Sequence, residues 1–192
     1  MEQIVSKAYR MLGFVLRTAK AFKLPETYLT LYSALVRSQL EYAVVVWSPL
    51  YATYDNRIES IQKRFFNTMQ HRIGCPRLPY RALIDHYNYC TLDHRRVLLE
   101  MSVLHNICLS HYDCPDLLKQ INFRAPSFVT RTCPLFCIPN ARTNAGVRAP
   151  IRRICDIYNR HMLSLDIFAS SCLQFKAGAR NVLGGLSGCI GK

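Results

Sequence analysis

Apolar residues recur at three- and four-residue intervals over most of this chain, a spacing that predicts helices. Across residues 3–22, Ile4, Val5, Ala8, Met11, Leu12, Val15, Leu16, Ala19 and Phe22 fall on one helical face, with Lys7, Arg10, Arg17 and Lys20 opposite. Pro25 is placed to open the next helix, where its missing N–H is no loss. Residues 26–47 read as that helix, with Tyr28, Leu31, Tyr32, Leu35, Gln39, Tyr42 and Val46 on its core side. Its polar strip is narrow, so it is expected to be central to the core. The Val44-Val45-Val46 run favours strand locally and weakens the helix end, and Ser48-Pro49 stops it. A third helix, about 56–73, is expected to be capped by Asp55 and buried through Ile58, Ile61, Phe65, Phe66, Met69 and Ile73. Its wet side carries Arg57, Lys63, Arg64 and His71, and Gly74-Cys75-Pro76 closes it.

The middle of the chain is less regular. A short helix is expected within Pro79–Tyr89 around Leu83 and Ile84, and a long one from Leu92 to His111 with Leu98, Leu99, Val103, Leu104, Ile107 and Cys108 buried. Cys114-Pro115 starts another short helix through Leu117, Leu118 and Ile121. From Asn122 to Arg148, Pro126, Pro134, Pro139, Asn140, Asn144 and Gly146 interrupt any period, which predicts a long loop with one extended piece near Leu135–Ile138. A loop of that length points to a binding role. Helical spacing returns at 150–163 and at 165–177, the latter through Ile167, Phe168, Cys172 and Phe175. The expectation is an all-α fold, a multi-helix bundle of about six to eight helices. It divides into a basic three-helix segment (1–74), a neutral helical connector (75–121), a basic loop and helix pair (122–183) and a disordered glycine-rich tail (184–192).

Charge changes the picture. The formal net charge is +13, and it is uneven. Residues 1–72 hold ten basic against five acidic side chains, residues 73–121 five against five, and residues 122–192 ten against two. Two basic ends around a neutral middle point to a polyanionic partner, nucleic acid foremost. Arg10 with Arg17, and Arg57 with Arg64, are heptad-spaced on wet helix faces, a row that follows a phosphate backbone without reading bases. Lys7, Lys20 and Lys63 extend these rows, and Arg148, Arg152, Arg153 and Arg160 form a third cluster of arginines suited to bidentate phosphate contact. The competing reading is that amphipathic helices need charge on their wet faces and Lys and Arg serve.

Nine cysteines, with no C-x-x-C pair and no secretory leader pattern, place the chain in an intracellular, reducing compartment with mostly buried free thiols. The longest strictly apolar run, Ala43–Trp47, is far short of a membrane span, so no membrane partner is expected. Enzymatic chemistry finds little support. Seven Asp and five Glu include no adjacent pair of the kind that holds two catalytic metal ions. His105, Cys108, His111 and Cys114 are ligand types, but steps of three drift around a straight helix, so ordinary buried thiols and histidines outweigh a zinc site. No nucleophile motif appears. The terminal Gly185–Lys192 stretch lacks the spacing and following helix of a phosphate loop. Catalytic residues, cofactor and metal are therefore all expected to be absent.

One further signal is a likeness. Ser6–Phe14, Leu31–Ser38, Leu40–Ala43, Val46–Pro49, Ile58–Phe65, Asp93–Arg96, Leu117-Leu118, Ile121–Phe123, Arg142–Asn144, Pro150–Ile154 and Tyr158-Asn159, in this order and spacing, resemble the region following the polymerase palm in reverse transcriptases of jockey-like non-LTR retrotransposons. In that family the region looks like the thumb and a C-terminal extension. The resemblance implies a non-catalytic piece of an RNA-directed DNA polymerase that holds RNA template and DNA primer while a palm, not found in this sequence, does the chemistry. It also leaves a second expectation, a structural module that packs on that palm. It assigns no residue roles here, so the nucleic-acid-binding residues rest on charge and periodicity alone.

Overall fold

The computed structural model of the chain describes residues 2–48, 52–74, 76–125, 133–147 and 149–185. The fold is all-α, as the patterning predicts, and no strand occurs among the described residues. It forms two compact units, Met1–Arg96 and Val97–Lys192.

In the first unit, α1 (Glu2–Thr18) is continued by a 3-10 turn (Ala19–Ala21). It buries Val5, Ala8, Leu12, Val15 and Leu16, the face that the spacing assigns to the core. Phe22 departs from that assignment. It lies beyond the last helical turn and is exposed.

Pro25 does open α2 (Pro25–Leu31), but the expected single helix over 26–47 is broken. A π-helical turn (Tyr32–Arg37) follows, then α3 (Ser38–Glu41), then a break at Tyr42-Ala43, then one turn, α4 (Val44–Trp47). The buried residues explain the π turn. Tyr28, Tyr32, Val36 and Leu40 are spaced by four, and each such step overshoots a turn by about 40° in an α-helix. One extra residue in a wide turn takes the phase back by about 100°, which keeps all four on the core side. The break has a backbone cause, since Ala43 sits in the left-handed region at φ 51°. Tyr42 and Val46, expected on the core side, consequently face solvent at 80% and 74% exposure. The Trp47 indole N–H donates to the Tyr42 carbonyl at 2.6 Å and ties the break together.

Helix α5 (Ala52–Ile73) starts before Asp55, so Asp55 does not cap it. It stands in the first turn and accepts from Arg96 Nη2 at 2.6 Å. The expected apolar residues are buried except Ile73, which is half-buried, and Gln62 and Gln70 are buried with them. Tyr32 stacks on Phe65 with ring centroids 4.2 Å apart, and Phe65 meets Phe66 edge-on at 5.2 Å. Helix α6 (Tyr80–His86) adds Leu83 and Ile84 to the core.

The boundary between the units falls inside α7 (Leu92–Cys108). Its buried positions differ from the expected set: Leu98, Leu99, Val103 and Cys108 are half-buried, while Arg96, Glu100 and His105 are buried beside Met101, Leu104 and Ile107. Polar side chains occupy the inner face because each finds a partner: Arg96 the Asp55 and Asp93 carboxylates, Glu100 the Arg153 guanidinium and His105 the Ser170 carbonyl. Helix α8 (Pro115–Leu118) begins at Pro115 as expected.

The described part of the 122–148 loop contains a local antiparallel bridge between Phe123 and Phe136 and a one-turn helix, α9 (Asn144–Val147), which the sequence pattern did not indicate. The Asn159 side chain clamps Phe136 from both sides, accepting its N–H at 3.2 Å and donating to its carbonyl at 2.8 Å. Asn159 belongs to α10 (Pro150–His161), which buries Ile154, Cys155 and Tyr158.

The last helix, α11 (Cys172–Gly185), starts later than the expected 165–177. Ser171 and Gln174 form a capping box: the Ser171 N–H donates to Gln174 Oε1 at 3.1 Å, and Ser171 Oγ accepts the Gln174 N–H at 3.3 Å. Phe168, expected in the core, stays exposed in the turn before it. Gly178 lets α11 lie against Leu165, because a Cβ there would come within 2.6 Å of Leu165 Cδ2. Gly184 and Gly185 belong to this helix, and the rest of the expected tail, 186–192, lies outside the described residues.

Candidate nucleic-acid interface

Two of the three cationic rows are set on neighbouring helices. Helices α1 and α5 pack side by side and run in the same direction. Glu2 meets Arg57 at 3.6 Å near their starts, Tyr9 and Ser60 hydrogen-bond at 2.7 Å farther along, and the Arg72 guanidinium donates to the Leu16 carbonyl near their ends. Lys7, Arg10, Arg17 and Lys20 are exposed along α1 and its 3-10 continuation, and Arg57, Lys63 and Arg64 along α5. Seven residues of helix rise about 10.5 Å, so the two arginines of each pair stand about that far apart along their helix.

The seam between the helices carries a notch of about 440 Å³ lined by Tyr9, Leu12, Gly13, Leu16 and Arg64. Arg17 borders it as well, since a Cβ on Gly13 would lie 3.4 Å from Arg17 Nη1. The fold therefore brings Arg17 and Arg64 to one glycine. A second shallow groove of about 450 Å³ runs past Glu2, Gln3, Ser6, Lys7 and Arg10 on α1.

Two of these cations also touch aromatic faces. The Arg57 guanidinium lies 6.0 Å from the Tyr54 ring centre, and Lys63 Nζ lies 5.5 Å from that of Tyr80. Tyr80 is itself fixed from behind. Its hydroxyl donates to the Glu59 carboxylate and accepts from Gln62 Nε2 at 3.1 Å. Gln62 accepts from the Tyr32 hydroxyl at 3.2 Å and donates to the Cys90 carbonyl at 3.0 Å, while Glu59 takes the Leu92 N–H at 3.1 Å. Burial, then the negative charge of Glu59, pushes both phenols above their ordinary range, so Tyr32 and Tyr80 stay neutral donors. The sequence reading missed this network. Its one available signal is that Gln62 falls in the core phase of α5, between Ile58 and Phe65-Phe66.

A second polar cluster fixes the end of α3. The Arg95 guanidinium donates twice to the Glu41 carboxylate, once through Nη2 at 2.9 Å, and Arg37 stands 3.6 Å from the same carboxylate and over the Tyr89 ring at 5.2 Å. These arginines are held inside the unit and are not part of the cationic track.

The third row does not assemble in the same way. Arg153 donates to the buried Glu100 carboxylate at 2.9 Å through Nη2 and at 3.2 Å through Nε. Arg152 is half-buried, Arg160 pairs with Asp156 at 2.7 Å, and Arg148 lies outside the described residues.

The ligand-type ladder of α7 is spread apart. His105 is fully buried, with its Nε2 3.0 Å from the Ser170 carbonyl and its ring 4.8 Å from that of Phe175, whereas His111 is exposed. Burial pushes the Cys108 thiol up to about 11, and burial together with the Cys108 thiolate pushes Cys155 to about 12. Among the described residues no group of three or more His, Cys, Asp or Glu is placed to hold a metal ion. Among the same residues, no helix is long and apolar enough to cross a membrane. Comparison with protein-family models, curated proteins and solved structures finds no match to this chain.

Proposed function

We propose that this chain is a non-catalytic nucleic-acid-holding module derived from the post-palm region of a jockey-like non-LTR retrotransposon reverse transcriptase. In this reading it grips RNA template and DNA primer by backbone phosphates, as part of an RNA-directed DNA polymerase. The observation that carries the reading is the pair of parallel cationic helix faces, Lys7, Arg10, Arg17 and Lys20 beside Arg57, Lys63 and Arg64, exposed over an apolar core. Arg153 is taken up by the buried Glu100 carboxylate and is not counted among these residues. Phosphate contact is sequence-independent and releases counterions, so it has a characteristic salt dependence.

The test is fluorescence anisotropy of a labelled RNA–DNA hybrid titrated at several salt concentrations. Binding should fall steeply with salt, and the variant Arg10→Ala/Arg17→Ala/Arg57→Ala/Arg64→Ala should flatten the log–log slope by about three. An unchanged affinity and slope in that variant would reduce the basic faces to solvated surface.

A second reading, a module that packs on a polymerase palm, is favoured by one specific observation. Tyr42 and Val46 stand out beside the left-handed Ala43, where an apolar patch awaits a partner. Tyr42→Ser/Val46→Ser should leave nucleic-acid binding unchanged and remove any concentration-dependent self-association seen by size exclusion.

A further inference from the structure

We infer that the Gly13 notch seats one phosphate of an unpaired strand, with the adjoining base stacked on Phe14. This rests on the nucleic-acid reading above and names the form of ligand that the site takes.

Glycine in the middle of the 17-residue α1 is the first observation. It weakens a helix by roughly 0.5–1 kcal/mol relative to alanine, so its presence asks for a local reason. Packing does not supply one, because a Cβ at Gly13 would meet only the far end of Arg17. What the missing side chain does is leave α1 open at the notch, where Arg64 forms part of the wall and the Arg17 guanidinium reaches back to Gly13. A guanidinium beside bare helix backbone, with a second arginine in the wall of a notch larger than a phosphate group, is suited to charge-assisted, forked hydrogen bonding of a phosphate.

Phe14 is the second observation. It is 48% exposed, lies outside the apolar core cluster, and stacks on no other aromatic ring among the described residues. It follows Gly13 directly and lies four residues after Arg10 and three before Arg17, which makes both arginines its neighbours on the helix surface. An exposed aromatic ring set among arginines is the combination that holds single strands: the cations take the backbone and the ring takes a base. A base within a duplex is already stacked on its neighbours and offers no free face, so Phe14 favours an unpaired nucleotide. The charge of the track selects a polyanion, and the single ring is too small an apolar surface for membrane attachment.

The experiment is an anisotropy titration of the full chain with labelled oligouridine and, separately, with a labelled RNA–DNA hybrid of equal length. Phe14→Ala removes an exposed ring and substitutes a better helix former, so the fold stays intact. It should weaken oligouridine binding about tenfold and hybrid binding less than about twofold. Gly13→Leu, which fills the notch, should likewise weaken oligouridine binding about tenfold, as should Arg64→Gln. Hybrid binding that depends on the arginines while oligouridine binding ignores Phe14→Ala and Gly13→Leu would overturn this inference and leave the duplex-holding reading standing. No binding of either nucleic acid would overturn both. Attachment to phosphatidylserine vesicles lost in Phe14→Ala, without nucleic-acid binding, would reassign the face to a lipid surface and overturn both as well.

Discussion

The basic helices of the two units place their arginines differently. In Met1–Arg96 the arginines of α1 and α5 stay on the wet side of helices whose other side is apolar, and they line up across a seam. In Val97–Lys192, Arg153 of α10 turns to Glu100 of α7, and Arg160 pairs with Asp156. Charge counted along a sequence does not separate an arginine on a wet helix face from one that turns inward to a carboxylate. What decides the matter is whether a buried carboxylate lies within reach. Glu100, at 2% exposure, is such a carboxylate, and the Arg153 guanidinium donates to it twice.

That difference can be broken directly, and the largest effect is expected there. Arg153→Ala removes the guanidinium that donates to the buried Glu100 carboxylate and should destabilise the second unit by about 3–5 kcal/mol in urea unfolding. Replacing both residues by methionine should recover most of that loss, since an apolar pair of similar volume replaces a desolvated ion pair. The same truncation on the other side, Arg10→Ala, should move stability by less than about 0.5 kcal/mol. Equal losses at Arg153 and Arg10 would erase the distinction between the units.

A smaller effect is expected in the first unit's own polar interior. Gln62→Leu keeps the volume of the core but leaves the Tyr32 hydroxyl and the Cys90 carbonyl without their partner. A loss on the order of 2–3 kcal/mol is expected by urea unfolding, with Lys63 losing its fixed aromatic neighbour as Tyr80 relaxes. If Gln62→Leu is neutral, Tyr80 is held by packing alone, and the track on α5 is independent of the network behind it.

The elements that were legible in the sequence are those in which period and charge agree. Helix α1 shows its core face and its basic face in the same count of residues, and α5 repeats the pattern. The track on these two helices was legible for that reason, but their parallel seam was not, because adjacency is a tertiary property. Residues 26–47 failed differently. Tyr28, Tyr32, Val36 and Leu40 recur at four, a spacing that reads as ordinary helix yet requires a π turn to stay aligned, and nothing in Tyr42-Ala43 announces a left-handed residue. The late start of α11 was written in the chain as Ser171-x-x-Gln174, a capping signal outweighed by the apolar spacing of Ile167 and Phe168. On α7, Glu100 and His105 look like wet-face residues until their partners, Arg153 and the Ser170 carbonyl, arrive from more than 50 positions away.

The last and smallest effect sharpens the same contrast through pH. Cys108 and Cys155 lie in the second unit, and their thiols are pushed up to about 11 and about 12, chiefly by burial. An unfolded thiol titrates near 8.5, so between that pH and the folded values the native state holds more protons than the unfolded state. Stability then falls as pH rises across this window, because the slope of unfolding free energy with pH follows the protons bound by the unfolded state less those bound by the native state. The effect is fully absent below about pH 8, where both states keep their protons. Urea midpoints measured from pH 8 to pH 11 should drift downward, and Cys108→Ala/Cys155→Ala should remove that part of the drift that its parent shows. The exposed Cys137 should label rapidly with a thiol reagent at pH 8, while Cys108 and Cys155 label only as the unit opens. Equal labelling rates at all three would mean that the second unit opens as readily as its surface, and that the inward pairing of Arg153 does little to hold it closed.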